Sequence, residues 1–198
     1  MRSENYRNYF KSSFMMGPNC LRLLDEILGE YPLHYTPDNL VLDLGCGTGI
    51  TSLFIANETG AKVYANDLWI SEEENRKRFA SWNMENKLIP MREDATDLHF
   101  NKEMFDALIS IDSYHYFAGK EGFFVNNILP YIKKGGIALI VIPGIKSEYA
   151  GKSEESVLGE TSVGEWLSFI PGCLIFTGIS MVYYFWWVNH WEGNRISE

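Results

Sequence analysis

The chain has 198 residues, 46% hydrophobic and 22% charged, with 17 Lys and Arg against 26 Asp and Glu and a net charge of -9. Such a length suits one domain with a sizeable core and excludes global disorder. The acidic balance works against a nucleic-acid partner and favours a neutral or cationic small molecule.

Cys20, Cys46 and Cys173 are scattered without CxxC or CxxH spacing, and His34, His99, His115 and His190 do not cluster with acids. Neither a disulfide framework nor a metal site is expected, and reduced thiols suit a cytoplasmic protein. The start, MRSENYRNYFKSS, is polar and lacks the apolar core of a signal peptide.

In chain order, NCLRLLDEILGEY (19–31) places Leu21, Leu24, Ile27 and Leu28 on one helical face, with Asn19 as N-cap and Gly29 as stop. LVLDL (40–44) is a short apolar run and reads as a buried strand. ITSLFIANETG (50–60) predicts a helix closing at Gly60, and AKVYAND (61–67) a second strand. ISEEENRKRFASWNMEN (70–86) predicts a helix with Ser71 as N-cap and acids in its first turn. KLIPMRED (87–94), weakened by Pro90, and MFDALISI (104–111) are the third and fourth strands. KEGFFVNNILPYIKK (120–134) predicts a helix and GGIALIVIPG (135–144) a fifth strand. Alternating strands and helices imply an α/β, doubly wound, mostly parallel sheet with helices on both faces. Ligands then bind beyond the carboxyl ends of the strands.

The first strand runs into Asp43-Leu44-Gly45-Cys46-Gly47-Thr48-Gly49. Three glycines in this GxGxG spacing permit a tight turn and close approach of backbone to a ligand. Ile50 stands where a dinucleotide loop needs its third glycine, which disfavours NAD, and no GK[ST] follows to make a P-loop. VLDLGCGTG resembles the first motif of class I methyltransferases that use S-adenosylmethionine. The order of the later segments fits as well, over roughly residues 38–145.

The resemblance implies a seven-stranded sheet, residues 1–37 forming N-terminal cap helices and 38–145 the cofactor-binding core of a single domain, 1–198. It implies that Asp43 faces the ammonium side of the methionine moiety, with Gly45, Cys46 and Gly47 lining the cofactor. Asp67, about 20 residues past the glycine loop, fits a ribose-binding acid, or else a helix N-cap or turn acid. Leu68 or Trp69 follows to pack on the adenine, although Trp69 suits the core equally. Asp94 and Ala95 match the positions that meet the adenine amino group and ring, with Glu93 and Asp97 as neighbouring acids.

The fourth strand ends in SIDSYHYF (110–117). Asp112 is expected to line the cofactor pocket or steer a cationic substrate. Tyr114 and His115 are the candidate catalytic residues, because the stretch is similar to the HH or HxF pattern of small-molecule methyltransferases and histidine is a proton acceptor near neutral pH. A structural histidine, with Tyr114 and Tyr116 as packing aromatics, is the other reading. In the phosphoethanolamine methyltransferase type a histidine works with an N-terminal tyrosine, a place for Tyr6 or Tyr9 on a loose pattern. Residues 12–20, SSFMMGPNC, are expected either to close over the cofactor, with Met15 and Met16 as apolar cover and a bend at Gly17-Pro18, or to be a docking loop. No NPPY-type motif of nucleic-acid enzymes is present.

Residues 146–198 form an atypical end. Ser162 to Glu165 is a capping-box pattern for a helix, and no charged residue occurs from Leu167 to His190. A β-hairpin of 173–181 with 182–190 is expected from the β-branched and aromatic content. A membrane span and an aberrant or truncated tail that favours association are the alternatives. The expected function is methyl transfer from S-adenosyl-L-methionine to a small-molecule acceptor (amine, hydroxyl or lipid-like), by a monomer or homodimer without metal, nucleic acid or membrane. The alternative is an S-adenosylmethionine-binding protein without transferase activity.

Overall fold

The computed structural model describes residues 1–9, 14, 16, 19–119, 122–146 and 176–187, with 143–146 and 176–187 described by backbone alone. Six strands form one sheet in the order β3-β2-β1-β4-β5-β6. They are β1 (Leu40–Leu44), β2 (Lys62–Asn66), β3 (Leu88–Met91), β4 (Phe105–Ile111), β5 (Ile132–Lys146) and β6 (Phe176–Trp187). β1 to β5 are parallel and β6 is antiparallel to β5. The chain winds outward from β1 to β3 and returns beside β1 as β4, so the switch point lies between β1 and β4.

Both faces of the sheet are covered, which is why its central strands are near-continuous apolar runs. Side chains alternate along β1. Val41 joins Ile109 and Val141 under α1 (Cys20–Glu30) and α2 (Ile50–Thr59), whereas Leu42 and Leu44 join Leu108 and Ile140 on the other face, against Phe123 and Ile128. Asp43 therefore points to the α2 side.

Asn19 caps α1, accepting the Arg22 amide at 3.1 Å, and the helix continues past Gly29 to Glu30. Ser71 caps α3 (Glu72–Ser81) in a full capping box with Glu74. This helix is shorter than the 70–86 pattern, since the chain turns through Asn83 at φ +56°. Pro90 is tolerated because β3 is an edge strand.

The helix expected over 120–134 is reduced to one π turn (Phe124–Ile128) and a 3-10 turn (Leu129–Tyr131). Pro130 cannot supply an amide to continue a helix. β5 begins at Ile132 and its register against β4 shifts between Phe105 and Ala107. Gly135 at φ +82° and Gly136 absorb the irregularity; a Cβ on Gly136 would lie 2.9 Å from the Asp106 carbonyl oxygen.

Among the described residues there are six strands rather than seven. The hairpin expected over 173–190 is instead one strand, pairing from Lys146 with Phe176 to Ile137 with Trp187. A long β5 edge satisfies this run of backbone without a turn at 181–182. The capping-box pattern at Ser162 lies outside the described residues. No helix among them is long and apolar enough to cross a membrane.

Candidate functional site

Beyond the carboxyl ends of β1 to β4 lies a cavity of about 480 Å³. Its floor is the glycine loop. Gly45 and Cys46 donate their amides to the Asn66 carbonyl at 2.9 and 3.0 Å, tying the end of β1 to the end of β2. Gly45 is at φ +79°, and a Cβ there would run into the Ser113 side chain. Gly47 is at φ +55°, where a Cβ would sit 3.0 Å from the Met16 sulfur.

Asp67 fastens this loop from the side. Its Oδ2 accepts the Gly47 amide at 2.8 Å, and its Oδ1 accepts the Trp69 and Ile70 amides at 2.8 and 2.9 Å. The carboxylate is 8% exposed and lies on the cavity wall. The turn-acid expectation for Asp67 is met by these amides, and the same side chain faces the cavity.

Asp43 is the correction. It was expected beside the ligand's ammonium, yet it is 1% exposed and does not line the cavity. Its Oδ2 accepts the hydroxyls of Thr51 at 2.7 Å and Ser52 at 2.6 Å on α2. Strand alternation turns it under that helix, where it props the loop from below. Burial pushes its carboxyl up to about 6, against the pull of the two hydroxyls.

At the end of β3, Asp94 and Ala95 both line the cavity, as does Leu68. Asp94 is exposed and its Oδ1 accepts the amide and hydroxyl of Thr96, each at 2.8 Å, which hold the carboxyl below its usual range. Asn66 pins this stretch to β2, exchanging hydrogen bonds with the Glu93 backbone at 2.9 and 3.1 Å. Trp69 is not core: it is 65% exposed on the rim.

The end of β4 departs most from expectation. Asp112 lines the cavity with its backbone at φ +56°. Its carboxylate receives no hydrogen bond from the described residues, and burial alone pushes it up to about 6. His115 and Tyr114, expected at the reacting centre, are not on the cavity wall. The His115 ring stacks on Tyr116 at 4.2 Å, and burial drops its pKa to about 4. Tyr114 packs on Phe117 and Phe123, where burial pushes its hydroxyl well above the usual range. Tyr116 takes the wall position instead and meets Trp69 edge-on at 5.4 Å.

The N-terminal segment does come over the cavity, at Phe14 and Met16; Met15, Gly17 and Pro18 lie outside the described residues. Thr48 in the glycine loop donates to the Phe14 carbonyl at 2.7 Å, and the Arg78 guanidinium sits 5.3 Å from the Phe14 ring centre. Tyr6 is not available as a partner for histidine. It packs on Phe54 and donates to Glu58 at 2.7 Å, while Tyr9 packs on Trp82.

Sequence reading missed Ser113 and Asn66. Ser113 Oγ donates to the Leu44 carbonyl at 2.8 Å and fills the space a side chain at position 45 would need. A small polar residue after a strand that neighbours a glycine turn is the only signal for it. The cavity fits S-adenosylmethionine: glycines let the backbone approach, Asp67 and Asp94 stand at two strand ends, and the wall carries acids suited to a sulfonium cation.

Residues 41–136 match the model of a family described as a methyltransferase domain. No curated protein sequence matches the chain. Among solved structures, geranyl diphosphate C-methyltransferase from Streptomyces coelicolor A3(2) is similar at TM-score 0.59 and 18% identity, covering 78% of this chain and 54% of that one. A putative sarcosine dimethylglycine methyltransferase from Galdieria sulphuraria matches at TM-score 0.57 and 15% identity, covering 69% and 48%. Phosphoethanolamine N-methyltransferase 2 of Haemonchus contortus, in complex with S-adenosyl-L-methionine, matches at 0.57 and 21%, covering 73% and 33%. The chain spans about half the length of the first two and a third of the last. The fold is that of class I methyltransferases that use S-adenosylmethionine.

Proposed function

We propose that this chain, with its methyltransferase domain over residues 41–136, moves the methyl group of S-adenosylmethionine to a small-molecule acceptor. One observation carries the reading. The glycine loop after β1 and the acids after β2 and β3 open on a single cavity at the switch point of the sheet.

In this reading Gly45, Cys46 and Gly47 bring their backbone to the methionine part. Asp67 meets the ribose hydroxyls, Leu68 packs on the adenine, and Asp94 with the Ala95 amide meets its polar edge. Asp43 acts indirectly, through Thr51 and Ser52. The cofactor supplies a methyl carbon already activated by a sulfonium. The protein's share is to orient the partners, exclude water and manage any proton on the nucleophile. The reading extends to a cytoplasmic setting, in which thiols such as Cys20 and Cys46 stay reduced.

Calorimetry with S-adenosylhomocysteine and NADH tests the cofactor, with micromolar affinity expected for the first and none for the second. The opposite preference defeats the reading. Binding of S-adenosylhomocysteine without transfer from radiolabelled donor to any acceptor identifies a binding protein rather than an enzyme.

A further inference from the structure

We propose that the methyl acceptor is an amine carried on an apolar body, with its nitrogen held by the Asp112 carboxylate and its body covered by Trp69, Tyr116 and Met16. The inference rests on the methyl-transfer reading above.

The cavity carboxylates are not equivalent. Asp67 is met by three backbone amides, Asp94 by the amide and hydroxyl of Thr96, and Glu93 by the His99 amide. Asp112 receives no such donor from the described residues, though it is half-buried. A carboxylate withdrawn from water without a partner is costly. Its left-handed backbone conformation is a second cost, one that persists where function requires the side chain to point in a particular direction. A ligand that brings a positive donor removes the first cost.

The rim points to the rest of the acceptor. Six large apolar side chains are well exposed among the described residues, and four of them, Met16, Leu68, Trp69 and Tyr116, line this one cavity. Trp69 and Tyr116 meet edge-on across its mouth at 5.4 Å. Aromatic faces beside a carboxylate suit an alkylammonium better than an anion. The described lining residues also carry no Lys, Arg or His to balance a phosphate or carboxylate on the acceptor.

The chemistry balances. An alkylammonium gives one proton to the Asp112 carboxylate, and the freed nitrogen lone pair forms the N–C bond to the methyl carbon. The C–S electron pair stays on sulfur, which becomes a neutral thioether, and the product leaves as a methylated ammonium. The Asp112 proton returns to water. Ionisation of Asp112 near pH 6 leaves it charged and able to accept at pH 7.5.

The test uses the full chain, radiolabelled S-adenosylmethionine and matched acceptors: 2-phenylethylamine and octylamine, their alcohols 2-phenylethanol and octanol, and phenylalanine as the acid-bearing analogue. We expect transfer to the amines at least about tenfold above the others, and about a hundredfold loss in Asp112→Asn. Calorimetry of 2-phenylethylamine into protein saturated with S-adenosylhomocysteine should show affinity about tenfold weaker in Asp112→Asn, while affinity for S-adenosylhomocysteine itself changes by less than about threefold. Equal transfer to the alcohols, or no transfer to any member despite S-adenosylhomocysteine binding, overturns the amine assignment; equal transfer to phenylalanine overturns the apolar body; each leaves the cofactor reading standing. If Asp112→Asn loses S-adenosylhomocysteine affinity instead, Asp112 serves the cofactor's own ammonium and the proposal fails. Failure of the unaltered protein to bind S-adenosylhomocysteine defeats the underlying function.

Discussion

The Asp67 carboxylate accepts the Gly47 amide at 2.8 Å, so the acid after β2 and the glycine loop after β1 are one hydrogen-bonded unit. The same carboxylate also caps the turn at Trp69 and Ile70. The cavity wall and the loop shape are therefore coupled through one side chain. Asp67→Ala should weaken S-adenosylhomocysteine binding by about 10- to 100-fold, since hydrogen bonds to a charged group are worth about 1.5–3 kcal/mol each. Calorimetry reads this directly, and unchanged affinity would separate Asp67 from the site.

Gly45 and Ser113 are sterically coupled. Gly45→Ala places a methyl group against the Ser113 side chain, at a φ of +79° that alanine resists. A loss of about 2 kcal/mol in unfolding free energy is expected. In a Ser113→Gly background the steric part disappears, so the two changes should be non-additive by about 1 kcal/mol. Additive losses in denaturant melts would show that the loop relaxes away from the contact.

Asp112 makes stability depend on pH in a definite direction. Its carboxyl is raised to about 6 in the folded chain from an ordinary 3.8, so the native state holds the proton more tightly than the unfolded state. Its contribution is fully present below about pH 4 and is lost as pH rises through about 6. Cys20, pushed up to about 12, and Tyr116, also raised, do not titrate in that window. Asp112→Asn should thus be more stable than the unaltered chain at pH 7.5, by about 1–2 kcal/mol after allowing for solvent access. The gain should vanish by pH 4. Asparagine tolerates the left-handed backbone, so the variant should fold. A gain that is equal at both pH values would contradict the assigned cause.

His115→Gln should lower turnover by less than about threefold, where loss of a general base costs about 10²–10⁴. The ring lies behind Tyr116 rather than on the cavity wall, and burial keeps it neutral at pH 7. A hundredfold fall in kcat with unchanged KM would restore it to the reacting centre.

The strand-end wall of the cavity was legible because strand periodicity locates strand ends, and cavities of a doubly wound sheet open at those ends. Gly45, Gly47, Asp67 and Asp94 follow from that rule. Asp43 was misplaced although alternation along LVLDL already puts it with Val41 on the α2 side, opposite Leu42 and Leu44. The end of β4 was not legible. Tyr114–Tyr116 form a 3-10 turn, in which three successive side chains point in three directions. Tyr114 packs against the core, His115 lies behind the wall and Tyr116 is in it.

By itself the sequence determined the parallel α/β sheet, the glycine loop and the acids at two strand ends, because these depend on local periodicity and on spacing along one chain. Tertiary structure alone decided which groups share a wall. Asp43 is held by hydroxyls from α2, Ser113 occupies the space left by Gly45, and Asp112 receives no donor from the described residues beside exposed aromatics. These are contacts between residues distant in sequence or turned by a single backbone angle. Hydrogen-bond satisfaction and steric exclusion arise only once the sheet has brought the strand ends together.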